Sequence, residues 1–286
     1  MSKSPTTSNQ LSTQDAVVLL RKDPDYQDLI RDSYLGEDVK ESADRFLASA
    51  EFSQVLELLG NDLSDRKIMD LGSGIGIAAA SFARVRAKEV IAVDPDLSDQ
   101  IGVRASARLS RGLLVHSISA LGENIPIENG TVDIVYSRQV LHHAGNLKRM
   151  VGEIYRVLRP GGMMLSTREH VVDNERQLKR FLADHPVHQL AGGENAFKLS
   201  DYLEAIQKAG LVVKEIIGPW DSVINAFPNV RNQSELRELP RTLLRQKLGK
   251  LGEMIGNVPG VIPLIWFFLR RRPKAGRMYS FLAIKP

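Results

Sequence analysis

A short apolar strand that ends on an aspartate and runs directly into three glycines spaced two apart constrains this chain more than any other feature. The segment KIMDLGSGIG reads as a buried strand over Lys67–Leu71, followed by Gly72, Gly74 and Gly76 and then an alanine-rich helix over Ile77–Val85. Glycines let the backbone pass close to a ligand, and a helix N-terminus presents free N–H groups to it. The spacing selects among ligands. A dinucleotide pyrophosphate loop places its third glycine three residues after its second, whereas this loop reads D-x-G-x-G-x-G. About twenty residues beyond the loop, Asp94 closes a second apolar strand, Glu89–Asp94, where a carboxylate can accept both hydroxyls of a ribose.

The same rhythm continues along the chain. Strands are expected over Leu113–Ile118, Val132–Ser137, Met163–Thr167, Val212–Ile217 and Met278–Lys285. A helix from Leu147 to Leu158 stops at Arg159-Pro160-Gly161-Gly162, and one from Ser200 to Ala209 is capped by Ser200 and closed by Gly210. Strands alternating with helices imply parallel β-α-β units, so the expected fold is α/β, a doubly wound sheet of seven mostly parallel strands. The strands lack polar alternation, as strands covered on both faces do.

Around this core, residues 1–14 read as a flexible tail. Residues 15–62 read as an N-terminal helical lid, with Phe46, Leu47, Ala50, Val55, Leu56 and Leu59 at helical spacing. The core spans 63–217, with 170–199 inserted as a cap over the substrate. Residues 218–277 form a helical insertion, and 278–286 return as the final strand.

Composition narrows the chemistry. The 286 residues include no cysteine, which excludes disulfides, thiolate metal sites and cysteine nucleophiles. The net charge of +4 is unevenly placed: between Arg231 and Arg277 there are 11 Lys and Arg against 3 Asp and Glu, or +8, which leaves −4 elsewhere. In that stretch Leu236, Leu239, Leu243, Leu244, Leu248 and Leu251 make one apolar stripe. VPGVIPLIWFFL follows, with two prolines and far fewer than the roughly 20 residues of a membrane span. The N-terminal MSKSPTTSNQLSTQ has no apolar signal region. A cytoplasmic protein is therefore expected. Residues 231–277 have two readings: an interfacial anchor that meets anionic lipid at the inner membrane face, or a cap over the substrate pocket. A nucleic-acid partner is not expected, because the basic stretch lacks interleaved aromatics. The oligomeric state is left open.

IMDLGSGIG, VIAVDPD, GENIPIENGTVDIVYSRQVLHH and RVLRPGG, in this order and spacing, resemble the class I S-adenosylmethionine-dependent methyltransferases, in particular the type 11 group that includes quinone C-methyltransferases. The resemblance is strongest over Lys67–Thr167. It implies a Rossmann-like core whose seventh strand lies antiparallel between the fifth and sixth, with S-adenosylmethionine as cofactor. Gly72, Gly74 and Gly76 would line the methionine and ribose part of that cofactor, and Asp70 would steady the loop and the cofactor's amino group. Asp94 would hold the ribose hydroxyls, with Pro95 and Asp96 beside the adenine. Where the family often has an acidic residue facing the adenine amino group, this chain has Leu121, so the backbone there or Glu123 would replace it. Ser137 and Arg138 would face the methionine moiety.

A hydroxyl acceptor benefits from a general base. His142 and His143 follow the fourth strand and His170 the fifth, all at the C-terminal sheet edge where open α/β folds bind ligands. His143 and His170 are the candidate bases. His185, His188 and Glu194 lie close in sequence but without a carboxylate–histidine pair on one helix, so no metal site is expected. The segment from TREHVV to KLSDYLEAI resembles methyltransferases of bacterial polysaccharide and glycoconjugate synthesis, which implies a small-molecule acceptor of the sugar or glycolipid hydroxyl type. C-methylation of a prenylated quinone ring and a non-catalytic cofactor-binding module are the alternatives.

Overall fold

The computed structural model describes residues 10–286. Of the tail expected over 1–14, residues 1–9 lie outside the described residues. From Ser12 onward the chain is already organised, because the Ser12 hydroxyl accepts the Asp15 N–H and caps α1 (Thr13–Lys22). Three further helices complete the N-terminal unit: α2 (Gln27–Asp32), α3 (Val39–Leu47) and α4 (Ala50–Leu59). Asp38 and Ser49 cap α3 and α4. Gly60, at φ +97°, ends α4 in the left-handed conformation that glycine adopts without strain.

The core then alternates: β1 (Lys67–Leu71), α5 (Ile77–Arg84), β2 (Glu89–Asp94), α6 (Val103–Leu109), β3 (Val115–Ser119), β4 (Val132–Arg138), α7 (Leu147–Val157) and β5 (Leu158–Val171). After β5 come α8 (Glu175–Asp184), α9 (Pro186–Ala191), α10 (Leu199–Lys208) and β6 (Val212–Ile217). The last excursion holds α11 (Val223–Ala226), α12 (Gln233–Leu248), α13 (Lys250–Gly256) and α14 (Val261–Arg271) before β7 (Arg277–Ile284). The seven strands form one sheet in the order β3-β2-β1-β4-β5-β7-β6, parallel except for β7, which runs antiparallel between β5 and β6.

Side-chain alternation explains why the strands look uniformly apolar. Ile68, Val90, Ala92, Ile134 and Leu165 point to a core shared with α5 and the N-terminal helices. Met69, Leu71, Ile91, Val93, Val135 and Met164 point to a second core under α7 and α10. The central strands β1, β2, β4 and β5 therefore have two apolar faces, while the edge strands β3 and β6 are partly to largely exposed.

Several boundaries differ from the sequence expectation. The third strand begins at Val115, because Leu113 belongs to the preceding turn and Leu114 is exposed. The expected RPGG turn is a bulge at the start of β5: Leu158 pairs with Val132 and Met163 with Ile134. Ser200 does not cap α10. Lys198 takes that position, and its N–H is held by the Asp201 carboxylate at 3.2 Å. The leucine stripe over 236–251 is broken at Gly249 between α12 and α13. Leu236 and Leu239 are buried against Val223, Ala226 and Val230, with Leu243, Trp220 and Trp266 around them. Leu248 and Leu251 face solvent. Among the described residues no single helix is long and apolar enough to cross a membrane.

Candidate active site

The glycine loop is built by close approach. Gly72, Gly74 and Gly76 all take positive φ. A Cβ on Gly72 would stand 2.4 Å from Val140 and one on Gly76 2.4 Å from Ser106, both inside van der Waals contact. Only glycine lets the loop lie against both neighbours. The Gly72 and Ser73 N–H groups bond to the carbonyl of Val93, which ties the loop to β2. The Asp70 carboxylate is buried and accepts the Ala79 N–H at 2.9 Å, which fixes the first turn of α5; burial pushes it up to about 7.

Asp94 ends β2 beside the loop. Its Oδ2 accepts from Gly74 N–H and its Oδ1 from Asp96 N–H, both at 2.8 Å, which leaves lone pairs for a ligand. Burial raises its pKa, partly offset by these two bonds. Gly72, Gly74, Asp94, Pro95, Asp96, Leu121 and Glu123 all line one cavity of about 480 Å³ at the C-terminal edge of the sheet. Leu121 is mostly exposed at its rim. Glu123 has one oxygen engaged by the Asn146 N–H at 3.1 Å.

The four other expected residues lie outside the wall of this cavity: Asp70, buried under α5 as described, and Gly76, Ser137 and Arg138. Gly76 caps α5 against Ser106. Ser137 is buried, with its hydroxyl 2.7 Å from that of Ser166. Arg138 is paired with Glu51 of α4 at 2.7 Å and stacks on the Tyr34 ring. Burial opposes the charge on Arg138, but Glu51 outweighs it and raises its pKa. Ser137 and Arg138 therefore do not face the cavity, contrary to what the resemblance implied, because residues far away in sequence occupy them.

The N-terminal helices supply one apolar wall through Val17, Leu20, Leu29, Ile30 and Leu35. The 170–199 segment supplies another through His185, Val187 and Glu194. No residue of 218–277 lines the cavity directly, although the Gly276 carbonyl holds His170 at its wall.

Opposite Asp94 the cavity meets a group of imidazoles. His142, His143, His170 and His185 all line it. The group is organised by Glu169, which the sequence reading passed over although it adjoins His170 at the C-terminal end of a buried strand. β5 is irregular between Ser166 and Glu169, where Arg168 takes φ +61°. Beyond the irregularity the Glu169 carboxylate sits under the 139–143 turn and accepts N–H bonds from Val140, Leu141 and His142, all at 3.1 Å. It also holds His142 Nδ1 at 2.8 Å. Burial opposes the charge on His142, but the Glu169 and Glu194 carboxylates prevail and hold it at about 9. Burial and the neighbouring His142 push His170 down to about 3, so it is neutral. Its Nδ1 stands 3.0 Å from the carbonyl of Gly276, so the proton lies on Nδ1 and the Nε2 lone pair is free. His143 is also pushed down, by burial and then by His142.

A doubly wound sheet with β7 reversed, a D-x-G-x-G-x-G loop and a strand-end aspartate on one cavity define a nucleoside-cofactor-binding domain of the methyltransferase architecture. Residues 69–166 match the methyltransferase domain family. That stretch is a methyltransferase domain by sequence, and the sheet around it has the fold of the class I methyltransferases. It is 32% identical over 134 residues to a dimethylglycine N-methyltransferase of Parasynechococcus marenigrum, covering 43% of this chain and 46% of that protein. It is 31% identical over 166 residues to a probable S-adenosylmethionine-dependent methyltransferase of Mycolicibacterium smegmatis, covering 57% and 59%. The matches thus span about half the length of these relatives. The solved geranyl diphosphate C-methyltransferase of Streptomyces coelicolor A3(2) shares the fold, with a TM-score of 0.57 at 15% identity over 99% of this chain and 100% of that one. The cradle suits the family's cofactor: Gly72 has no room for a side chain, and Asp94 presents a carboxylate for a ribose.

Proposed function

We propose that the protein moves the methyl group of S-adenosylmethionine to a hydroxyl oxygen of a small molecule, of the sugar or glycolipid class. The observation that carries this reading is that Asp94 and the glycine loop share one cavity with His170, whose Nδ1 faces the Gly276 carbonyl and leaves Nε2 free. The bound cofactor supplies an activated sulfonium methyl, which passes to the acceptor oxygen and leaves a neutral thioether. The chain's part is to align the acceptor and to take its proton. His170 Nε2 receives that proton, with Gly276 O holding the ring in place through Nδ1–H. His143 is the second candidate base, more exposed and nearer Glu194. The polar end formed by Gln139, Glu123 and the imidazoles suits a hydroxylated group, and the apolar wall of α1 and α2 suits a lipid portion. The resemblance of the 167–206 stretch to glycoconjugate methyltransferases supports the same class.

The test is transfer of labelled methyl to separate sugar, glycolipid and quinone-ring acceptors. Incorporation into a hydroxyl, reduced about 10²–10⁴-fold by His170→Ala, is the expected result. Incorporation only into a quinone ring carbon selects the C-methyltransferase alternative. Cofactor binding without transfer to any cell fraction selects a non-catalytic module.

The apolar face of α14 supports a second reading, contact with an anionic membrane surface. Leu264, Phe267 and Phe268 are exposed, with the Arg271 guanidinium over the Phe267 ring and Arg272 beyond it. That arrangement suits an interfacial segment, with apolar rings in the headgroups and guanidinium groups on lipid phosphates.

A further inference from the structure

We propose that His142, His143 and Glu194 form a binding site for one first-row divalent transition-metal ion of the zinc type, open toward the acceptor end of the cavity. The sequence gives no reason to expect a metal here, because the ligands come from two distant segments. The fold brings one ligand atom of each to within 4.8 Å of the others. His142 Nε2 stands 3.6 Å, and His143 Nε2 3.9 Å, from the same Glu194 oxygen, Oε2. Ligand atoms around a tetrahedral ion with bonds of about 2.0–2.2 Å lie about 3.3–3.6 Å apart. The separations are thus too long for hydrogen bonds and near those of coordination.

The outer contacts point the same way. A histidine that binds a metal through one ring nitrogen donates the other N–H to a carboxylate or a backbone carbonyl. His142 Nδ1 is held by Glu169 at 2.8 Å, and His143 Nδ1 by the Gly193 carbonyl at 3.1 Å. Both rings are thereby turned to present Nε2 to Glu194. Gly192 and Gly193 take φ +71° and +85°, and this turn sets the Gly193 carbonyl and the Glu194 side chain on opposite edges of His143. The Glu194 carboxylate is largely buried, yet its histidine neighbours stand at 3.6, 3.9 and 3.9 Å, the third being His185.

Two imidazoles and a carboxylate suit zinc and its first-row neighbours and suit magnesium poorly. All three ligands line the cavity, so the remaining coordination positions face the acceptor. An acceptor oxygen placed there would lose its proton more readily. That role rests on the methyltransferase reading; the metal binding itself does not.

The experiment is calorimetric titration of chelator-treated, dialysed protein with Zn²⁺, with Mg²⁺ as the contrasting ion and S-adenosylhomocysteine titrated in parallel. Wild type is expected to bind one Zn²⁺ and no Mg²⁺. Glu194→Gln and His143→Ala should each weaken Zn²⁺ binding at least tenfold, while His116→Ala, on exposed β3, leaves it unchanged. Co²⁺ should give visible ligand-field bands that Zn²⁺ abolishes. His143 is half-exposed, so its variant is informative even if Glu194→Gln unfolds. No stoichiometric Zn²⁺ binding by wild type, or unchanged binding by His143→Ala, overturns the site. Homocysteine-analogue binding that persists without metal binding leaves the cofactor reading standing; metal binding without it overturns the cofactor reading alone.

Discussion

The Arg138 guanidinium grips both carboxylate oxygens of Glu51, Nε to Oε1 at 2.7 Å and Nη2 to Oε2 at 3.2 Å, with both side chains withdrawn from solvent. The pair joins α4 to the C-terminal end of β4, and the Tyr34 ring lies 5.2 Å from the same guanidinium. The N-terminal helices are thus latched to the sheet next to the cavity they help to line. Removing one partner leaves a buried charge uncompensated, which costs about 3–5 kcal/mol. Glu51→Gln should lower the unfolding free energy by that amount in urea titration; a loss below about 1 kcal/mol would show that the pair contributes no more than a surface bridge.

Gly72→Ala should weaken S-adenosylhomocysteine binding at least tenfold in a protein that still folds. The new Cβ would meet Val140 at 2.4 Å, at a φ of +67° that alanine tolerates poorly. Val140→Ala in the same chain should restore part of the affinity. Unchanged affinity in the single variant would mean that the loop does not need this close approach.

Asp70 makes stability depend on pH. Its folded pKa of about 7 lies above the ordinary aspartate value of 3.8, because burial disfavours the charged form. Between those values the folded state holds more protons than the unfolded state, so this contribution is fully present below about pH 4 and is lost as pH rises through 7. The loss reaches roughly 4 kcal/mol at most. Asp70→Asn can still accept the Ala79 N–H and removes the titration. Urea midpoints from pH 5 to pH 8 should fall for wild type relative to this variant; parallel curves would contradict the assignment.

Much of the fold is legible along the chain because its causes are local. β1, β2, β4 and β6 are apolar runs bounded by glycines and charges, and the structure places them within a residue of their expected limits. β3 is displaced because Leu114 looks like strand and lies exposed in a turn. The glycine loop and Asp94 are adjacent strand ends on one edge, so spacing alone brings them together. What is not legible depends on contacts between distant segments. Arg138 looks free to meet a cofactor until Glu51, 87 residues earlier, is placed against it. Glu169 reads as one more strand residue, and only the irregularity after Ser166 brings it under the 139–143 turn. Glu194 reaches His142 and His143 through a glycine turn that no periodicity records.

The exposed face of α14 should bind anionic vesicles at low salt. Phe267→Ser with Phe268→Ser should reduce the fraction that floats with the vesicles several-fold, and added salt should weaken binding of wild type, since Arg270–Arg272 act through screened charge. No flotation of wild type at low ionic strength would end the membrane reading.

Calorimetric titration of the purified chain with S-adenosylhomocysteine, beside an Asp94→Ala variant, tests the central claim most directly. Wild type should bind one equivalent, and the variant, which loses the carboxylate that faces the cavity and holds Gly74, should show binding weakened at least tenfold. No binding to folded wild type, or equal binding by the variant, would contradict the assignment of this cavity to the cofactor.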